Sequence, residues 1–339
     1  MSGNAATYFV DRHIEEGRGA KSAYREATGS KRSLSYAELA DGSGKVADAL
    51  RRHGIRAEER ALMLVLDQIE WPQIFFGALK AGVIAVPLNT LLATQVYDFI
   101  LKDSRARCLF VSAELWPVVE PVIKNADSLR VVVVIGGDQA PDGTLSWRAF
   151  MSDALPRPPV EVSSDETAFW LYSSGSTGQP KGVRHVHSSL KATADTYGAQ
   201  VLGITEEDTV YSAAKLFFAY GLGNALTFPL SVGATTVLLP GRPTPDGVSA
   251  ILDAEKPTIF CGVPTLYAAM VHYWESNAVP KAPLRRSISA GEALPAEIGK
   301  KWLGHWGVDI LDGVGSTEML HIFLSNKPGD VEYGTSGTA

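Results

Sequence analysis

Only two cysteines occur in 339 residues, Cys108 and Cys261, far apart and each inside an apolar run. That spacing excludes a disulfide framework and a cysteine metal knuckle, and both thiols are expected to pack as small buried hydrophobes. Long hydrophobic runs are missing as well. Residues 61–66 and 131–135 are the longest, which is strand length and too short to cross a bilayer. The opening Met1-Ser2-Gly3-Asn4-Ala5 has neither the basic region nor the apolar region of a signal peptide. Positive charge is in deficit: 31 Lys and Arg stand against 37 Asp and Glu, for a net charge of -6. Neither nucleic acid nor an anionic membrane is therefore an expected partner. No fixed-period repeat or low-complexity tract is present. The expectation is a soluble, cytoplasmic protein.

What the chain does have is the composition of an ordinary globular protein, 45% hydrophobic and 20% charged, and enough length for two or three packed lobes. A short apolar run followed by an amphipathic one recurs along it. Ser35-Tyr36-Ala37-Glu38 reads as a capping box opening a helix that stops near Gly54. Residues 61–66, 83–88, 108–112 and 130–135 read as buried strands, with helices over 71–81 and 94–104. Residues 141–159 are a loose, proline-bearing connection with one short helix near Trp147. Strands follow at 235–239, 258–261, 286–290 and 309–312. Fully apolar strands alternating with helices indicate parallel sheets covered on both faces. The class is α/β, with approximate lobes 58–185 and 7–57 plus 186–339. Ligands in such folds sit at the carboxyl ends of strands.

The sharpest motif is Tyr172-Ser173-Ser174-Gly175-Ser176-Thr177-Gly178-Gln179-Pro180-Lys181-Gly182, directly after a strand-like run. Two glycines and four hydroxyl residues before a lysine, with a third glycine after it, can wrap an anionic oxygen cluster with N–H and O–H donors, and Lys181 adds a mobile charge. A flexible linker would not close on Pro-Lys-Gly. A Walker A loop needs Gly-Lys-Ser/Thr, and here Pro180 precedes Lys181 and Gly182 follows it. This is a phosphate loop of another kind.

The segment resembles the phosphate loop of the adenylate-forming superfamily, which comprises acyl-CoA synthetases, adenylation domains of peptide synthetases, and luciferases. Ser289-Ala290-Gly291-Glu292-Ala293-Leu294 is similar to the family's adenine-pocket segment, and Asp312-Gly313-Val314-Gly315-Ser316-Thr317-Glu318 to its Thr-Glu segment. The resemblance implies nucleotide contacts from Ser173, Ser174, Gly175, Ser176, Thr177, Gly178, Ala290, Gly291, Glu292, Gly313, Gly315 and Ser316, with Asp312 by the adenine amino group. It implies catalytic roles for Lys181, for Thr317 at the α-phosphate, and for Glu318 as the Mg2+ ligand, a task suited to a hard oxygen donor. ATP, Mg2+ and coenzyme A are the implied cofactor and co-substrates. The implied fold is the large amino-terminal domain of these enzymes, two doubly wound α/β subdomains. Its β-barrel portion and small carboxyl-terminal domain are expected to be largely absent, because the chain stops in mid-motif at Ala339. Catalysis by this chain alone is accordingly expected to be poor or nil.

The segment 215–224 lies where the family lines its acyl pocket. It holds no acidic residue, so an amino-acid substrate would bury an unpaired ammonium group. Phe218, Ala219, Tyr220 and Gly223 suit a flat apolar acid, and together with His321 and Ile322 they resemble benzoate-CoA and 4-hydroxybenzoate-CoA ligases. His321 is three residues after Glu318, on the same face if that stretch is helical. His185 and His187 have the spacing of a metal pair on one strand face, without an evident third ligand. The expected function is ATP-dependent ligation of an aromatic acid, benzoate first, to coenzyme A through an acyl-adenylate. The alternatives are a substituted-benzoate ligase such as one for 4-hydroxybenzoate, and a binding-only fragment. Oligomeric state is left open, a homodimer being one option.

Overall fold

The structure, a computed structural model, describes residues 3–137, 139–173 and 178–338. The chain divides into two compact units, one of residues 1–21 and 35–189, the other of 22–34 and 190–339. Residues 7–21, 35–57 and 186–189, placed in the second lobe by the sequence reading, fold with the first unit. For 35–57 the cause is the helix Tyr36–Arg52, whose buried face lies against the helix Glu70–Lys80 so closely that a Cβ on Gly77 would meet Val46 Cβ at 2.4 Å.

The first unit is built on a seven-stranded sheet in the order Leu145–Ser146, Val131–Ile135, Cys108–Ser112, Arg60–Leu64, Ile84–Pro87, Thr167–Ser173, Lys181–Val186. All its neighbours run parallel except the last pair, which is antiparallel with Ser173 opposite Lys181. Alternate residues of a strand face opposite ways. Leu62 and Leu64 join one core with Tyr97, Ile100 and Val119, while Phe110 and Phe169 meet Phe150 and Phe75 in other ring contacts. Helices thus cover both faces, and the central strands Arg60–Leu64, Ile84–Pro87, Cys108–Ser112 and Val131–Ile135 are buried almost throughout for that reason.

The second unit holds an eight-stranded sheet in the order Ile322–Ser325, Ile310–Gly315, Arg286–Ala290, Ile259–Gly262, Thr209–Ser212, Thr235–Leu238, Ser22–Glu26, Ser33–Ser35. Its central strands are parallel, and Ile322–Ser325 pairs antiparallel at one edge. From Thr209–Ser212 the chain goes to one side for Thr235–Leu238 and then to the other for Ile259–Gly262. That reversal is a topological switch point, where a crevice opens outside the carboxyl ends of the strands. Tyr267, Met270, Trp274 and Trp302 form the core between this sheet and its helices, Trp302 stacked on Phe260 at 5.8 Å. Among the described residues no helix is long and apolar enough to cross a membrane.

Candidate active site

A cavity of about 310 Å3 lies at that switch point, within the second unit. It is lined where four parallel strands end: Ala214 follows Thr209–Ser212, Val263 follows Ile259–Gly262, Ala290 and Gly291 close Arg286–Ala290, and Gly315 closes Ile310–Gly315. Phe218, Ala219, Tyr220, Ser316, Thr317, His321 and Ile322 complete the lining. Ten of the twelve lining residues carry roles implied by the sequence motifs. Ala214 and Val263 do not; the signal that finds them is their place just past the carboxyl ends of parallel strands, outside which the crevice of such a sheet opens. The volume is at the lower end of the ~300–1,000 Å3 usual for small-molecule sites.

The walls are held from behind. Gly221 passes so close to Lys215 that a Cβ would stand 2.0 Å from its carbonyl oxygen, and Lys215 in turn donates to the carbonyls of Leu239 and Gly241. This tight loop delivers Phe218 and Ala219 to the rim, with the Phe218 ring 4.5 Å from that of Phe217. Tyr220 points its hydroxyl at the carbonyls of Gly262 and Ile288, each at 3.0 Å, so its ring is fixed as a wall and burial holds its pKa well above the usual value. The next turn is π-helical over Gly223–Thr227, a local widening that recurs at functional sites.

His321 is 2% exposed and packed among Tyr197, Tyr220 and Phe228, with ring centroids at 4.9, 5.6 and 4.6 Å. Neither ring nitrogen has a well-placed hydrogen-bond partner among the described residues. Burial therefore pulls its pKa down to about 3, with weak opposition from the Tyr220 main chain. The imidazole is neutral at pH 7. Gly223 does not line the cavity. It makes room for this ring, since a Cβ there would lie 2.4 Å from His321 Cδ2. The stretch 316–321 is a turn, not a helix, so Glu318 and His321 do not share a helical face; Leu320 takes a left-handed backbone at φ 66°.

Other residues of the Thr-Glu segment have separate places. Asp312 is buried on Ile310–Gly315 opposite Ser289, and burial raises its pKa against the pull of Ser289 and two main-chain N–H groups. Gly313 lies against Ile322, where a Cβ would come within 2.7 Å of Cγ2. Glu292 and Glu318 are exposed. In the first unit Ser173 ends one strand, Lys181 is exposed at the start of the next, and Gly178 between them has φ 82°. Ser174, Gly175, Ser176 and Thr177 lie outside the described residues. His185 stacks on Phe169 at 4.9 Å, whereas His187 opens a helix and accepts the Ala5 N–H on Nδ1 at 3.2 Å. They do not share a strand face.

A family model for AMP-binding enzymes matches residues 11–339. The chain belongs to that family. Within it, the chain is 48% identical over 335 residues to a benzoate-CoA ligase of Thauera aromatica, covering 98% of this chain and 62% of the relative. It is 46% identical over 336 residues to a 4-hydroxybenzoate-CoA/benzoate-CoA ligase of Rhodopseudomonas palustris, covering 98% and 61%. A solved benzoate CoA ligase from Burkholderia xenovorans LB400 superposes with a TM-score of 0.90 at 45% identity, over 99% of this chain and 65% of that one. The chain thus spans about three-fifths of the length of the curated relatives it matches. The shared fold is the large amino-terminal α/β domain of adenylate-forming enzymes, and the cavity of this family member is made wholly within its second unit.

Proposed function

We propose that the chain binds a benzoate-class acid in the switch-point cavity and takes part in its ATP-dependent ligation to coenzyme A through an acyl-adenylate. The carrying observation is the cavity's wall, made of Phe218, Tyr220, Ile322 and an uncharged His321 without an acidic residue among them. Such a wall accepts a flat aryl ring and offers an ammonium group no partner. The named activities of the two curated relatives point the same way.

In the first half-reaction the acid's carboxylate attacks the α-phosphorus of ATP and pyrophosphate leaves; in the second, the thiol of coenzyme A displaces AMP. The carboxylate is its own nucleophile, so the protein's task is positioning and charge stabilisation. Thr317, at the cavity mouth, is assigned to the α-phosphate, and the main chain at Ala290 and Gly291 to the base, with Asp312 as acceptor for its amino group. Ser173, Gly178 and Lys181 belong to the phosphate-binding segment. The described residues contain no cluster of three metal-ligating side chains, and Glu318 is a lone exposed carboxylate. That donor set fits Mg2+, which commonly takes one or two carboxylates and fills its octahedron with phosphate oxygens and water. Bound there, Mg2+ would neutralise charge on the phosphates. Cytoplasmic ATP and coenzyme A pools go with this reading.

A second reading, a hydroxybenzoate as preferred acid, is favoured by one observation: the ring nitrogens of His321, without a well-placed partner among the described residues, would gain from a hydroxyl on the ring. Thermal unfolding midpoints with benzoate, 4-hydroxybenzoate, octanoate and phenylalanine test both. Stabilisation at a hundredfold excess over Kd is about 2.7 kcal/mol. Benzoate is expected to raise the midpoint and octanoate and phenylalanine to leave it. Equal shifts from octanoate, or none from any acid, refute the aryl reading. A larger shift from 4-hydroxybenzoate that His321→Leu abolishes selects the second.

A further inference from the structure

Between Glu318 and His321 the chain passes from solvent to core within three residues. Glu318 is exposed, Met319 is 58% exposed, and Leu320 and His321 are each 2% exposed. The connection is a loop between two paired residues, Gly315 and Ile322, across an antiparallel edge with a register shift at Val314/Gly315. The Leu320 N–H donates to the Thr317 carbonyl at 3.2 Å, and the Met319 N–H to Ser316 Oγ at 3.1 Å, closing the turn. Approach across its base is close, since a Cβ on Gly315 would stand 2.6 Å from the His321 carbonyl oxygen.

Leu320 has φ 66° in this turn. A left-handed backbone is costly for a bulky L-residue and ordinary for glycine, so a leucine there must be held by its surroundings. Its buried side chain is that hold. Glycine would adopt the same φ freely but would leave the turn without an anchor in the core. The combination is informative because the two residues it separates have different tasks in the proposed function, Glu318 toward the metal-bridged phosphates and His321 toward the aryl ring.

We propose that Leu320 is a positioning residue whose left-handed backbone, pinned by its buried side chain, sets Glu318 and His321 in register and thereby couples the metal–phosphate subsite to the aryl subsite. The inference rests on the reading of the site given above. It predicts that disturbing one residue, which touches neither ligand, damages both subsites together.

The test is equilibrium binding to the full chain, with two readouts: benzoate affinity, and the Mg2+ concentration that half-saturates ATP binding. Glu318→Gln and His321→Ala serve as references, the first expected to move only the Mg2+ readout and the second only the benzoate readout. Leu320→Val keeps apolar bulk but its β-branch resists positive φ, so both readouts should worsen by about fivefold or more. Leu320→Gly keeps the φ and loses the anchor, and both should worsen again; it decides the matter if the valine variant does not fold. Leu320→Met, bulky and unbranched at Cβ, should restore both. Folded Val or Gly variants that lower the unfolding midpoint but leave both affinities at the parent's values would make Leu320 merely structural and overturn the inference. Reference variants without effect would instead overturn the reading of the site, and the coupling with it.

Discussion

Single atoms set the shape of the switch-point cavity. Gly223 lacks only a Cβ, yet that atom would meet His321 Cδ2 at 2.4 Å, Nε2 at 2.8 Å and Phe228 Cζ at 2.9 Å. Neither ring has an easy way out, because His321 is packed against Tyr197 and Tyr220 as well. Gly223→Ala is therefore expected to cost about 1–3 kcal/mol by overpacking and to push His321 toward the ligand. Benzoate affinity should fall about tenfold while ATP affinity stays, which calorimetric titration of the variant with each ligand would read; unchanged benzoate binding would show that the ring has room this structure does not display. Tyr220 makes the complementary case. Its hydroxyl proton is shared between the carbonyls of Gly262 and Ile288 on neighbouring strands, so Tyr220→Phe removes a donor from both, although Ile288 keeps the Tyr267 hydroxyl at 2.8 Å. A loss of about 1 kcal/mol in urea-unfolding stability is expected, with a weaker grip on benzoate because the wall is no longer fixed.

At the scale of elements, some of the structure was written locally and some was not. The helix start at Ser35 was legible: Glu38 N–H donates to Ser35 Oγ at 3.2 Å while Ser35 N–H donates to Glu38 Oε2 at 2.7 Å, as the four-residue pattern predicts. Ser35→Ala should lower stability by about 1 kcal/mol, measured as a shift of the urea midpoint at unchanged slope. The helix Thr94–Ser104 also follows from its amphipathic pattern, and the strand Cys108–Ser112 from its apolar run. Lys181–Val186 and Ile322–Ser325 do not. They are antiparallel edge strands with exposed residues: Lys181–Val186 carries no continuous apolar run, and the three apolar residues of Ile322–Ser325 are too few to mark a strand by themselves. Ser22–Glu26 was missed for a different reason: its partner Thr235–Leu238 is more than two hundred residues away. Within the cavity, Phe218, Tyr220 and His321 were placed among the lining residues by the family resemblance, whereas Val263 became visible only once the strand order located the switch point. The condition set for a shared face of Glu318 and His321, a helical stretch between them, is not met: at Leu320 the backbone is left-handed and the side chain buried.

At the scale of the whole molecule, burial of neutral histidines ties stability to pH. Desolvation lowers the pKa of His187 in the first unit to about 4, against the pull of Glu166, and that of His321 in the second to about 3. The unfolded chain returns both to the ordinary histidine value of 6.5. Between those limits the unfolded state binds protons that the native state refuses, so stability rises with pH and is lost as pH falls below about 6.5. Each histidine contributes at most about 1.4 kcal/mol per pH unit. The loss attributable to His187 should end near pH 4 and that to His321 near pH 3, where the native imidazoles protonate too. The window from pH 6.5 to 5 isolates the effect, because ordinary carboxylates stay ionised there. Urea unfolding across that window should show a steep decline for the parent chain. His187→Asn and His321→Leu should each flatten it, and the double variant should flatten it most. A parent whose stability is level from pH 7 to 5 would mean that solvent reaches these rings, and that the cavity wall carries a proton when it meets its acid.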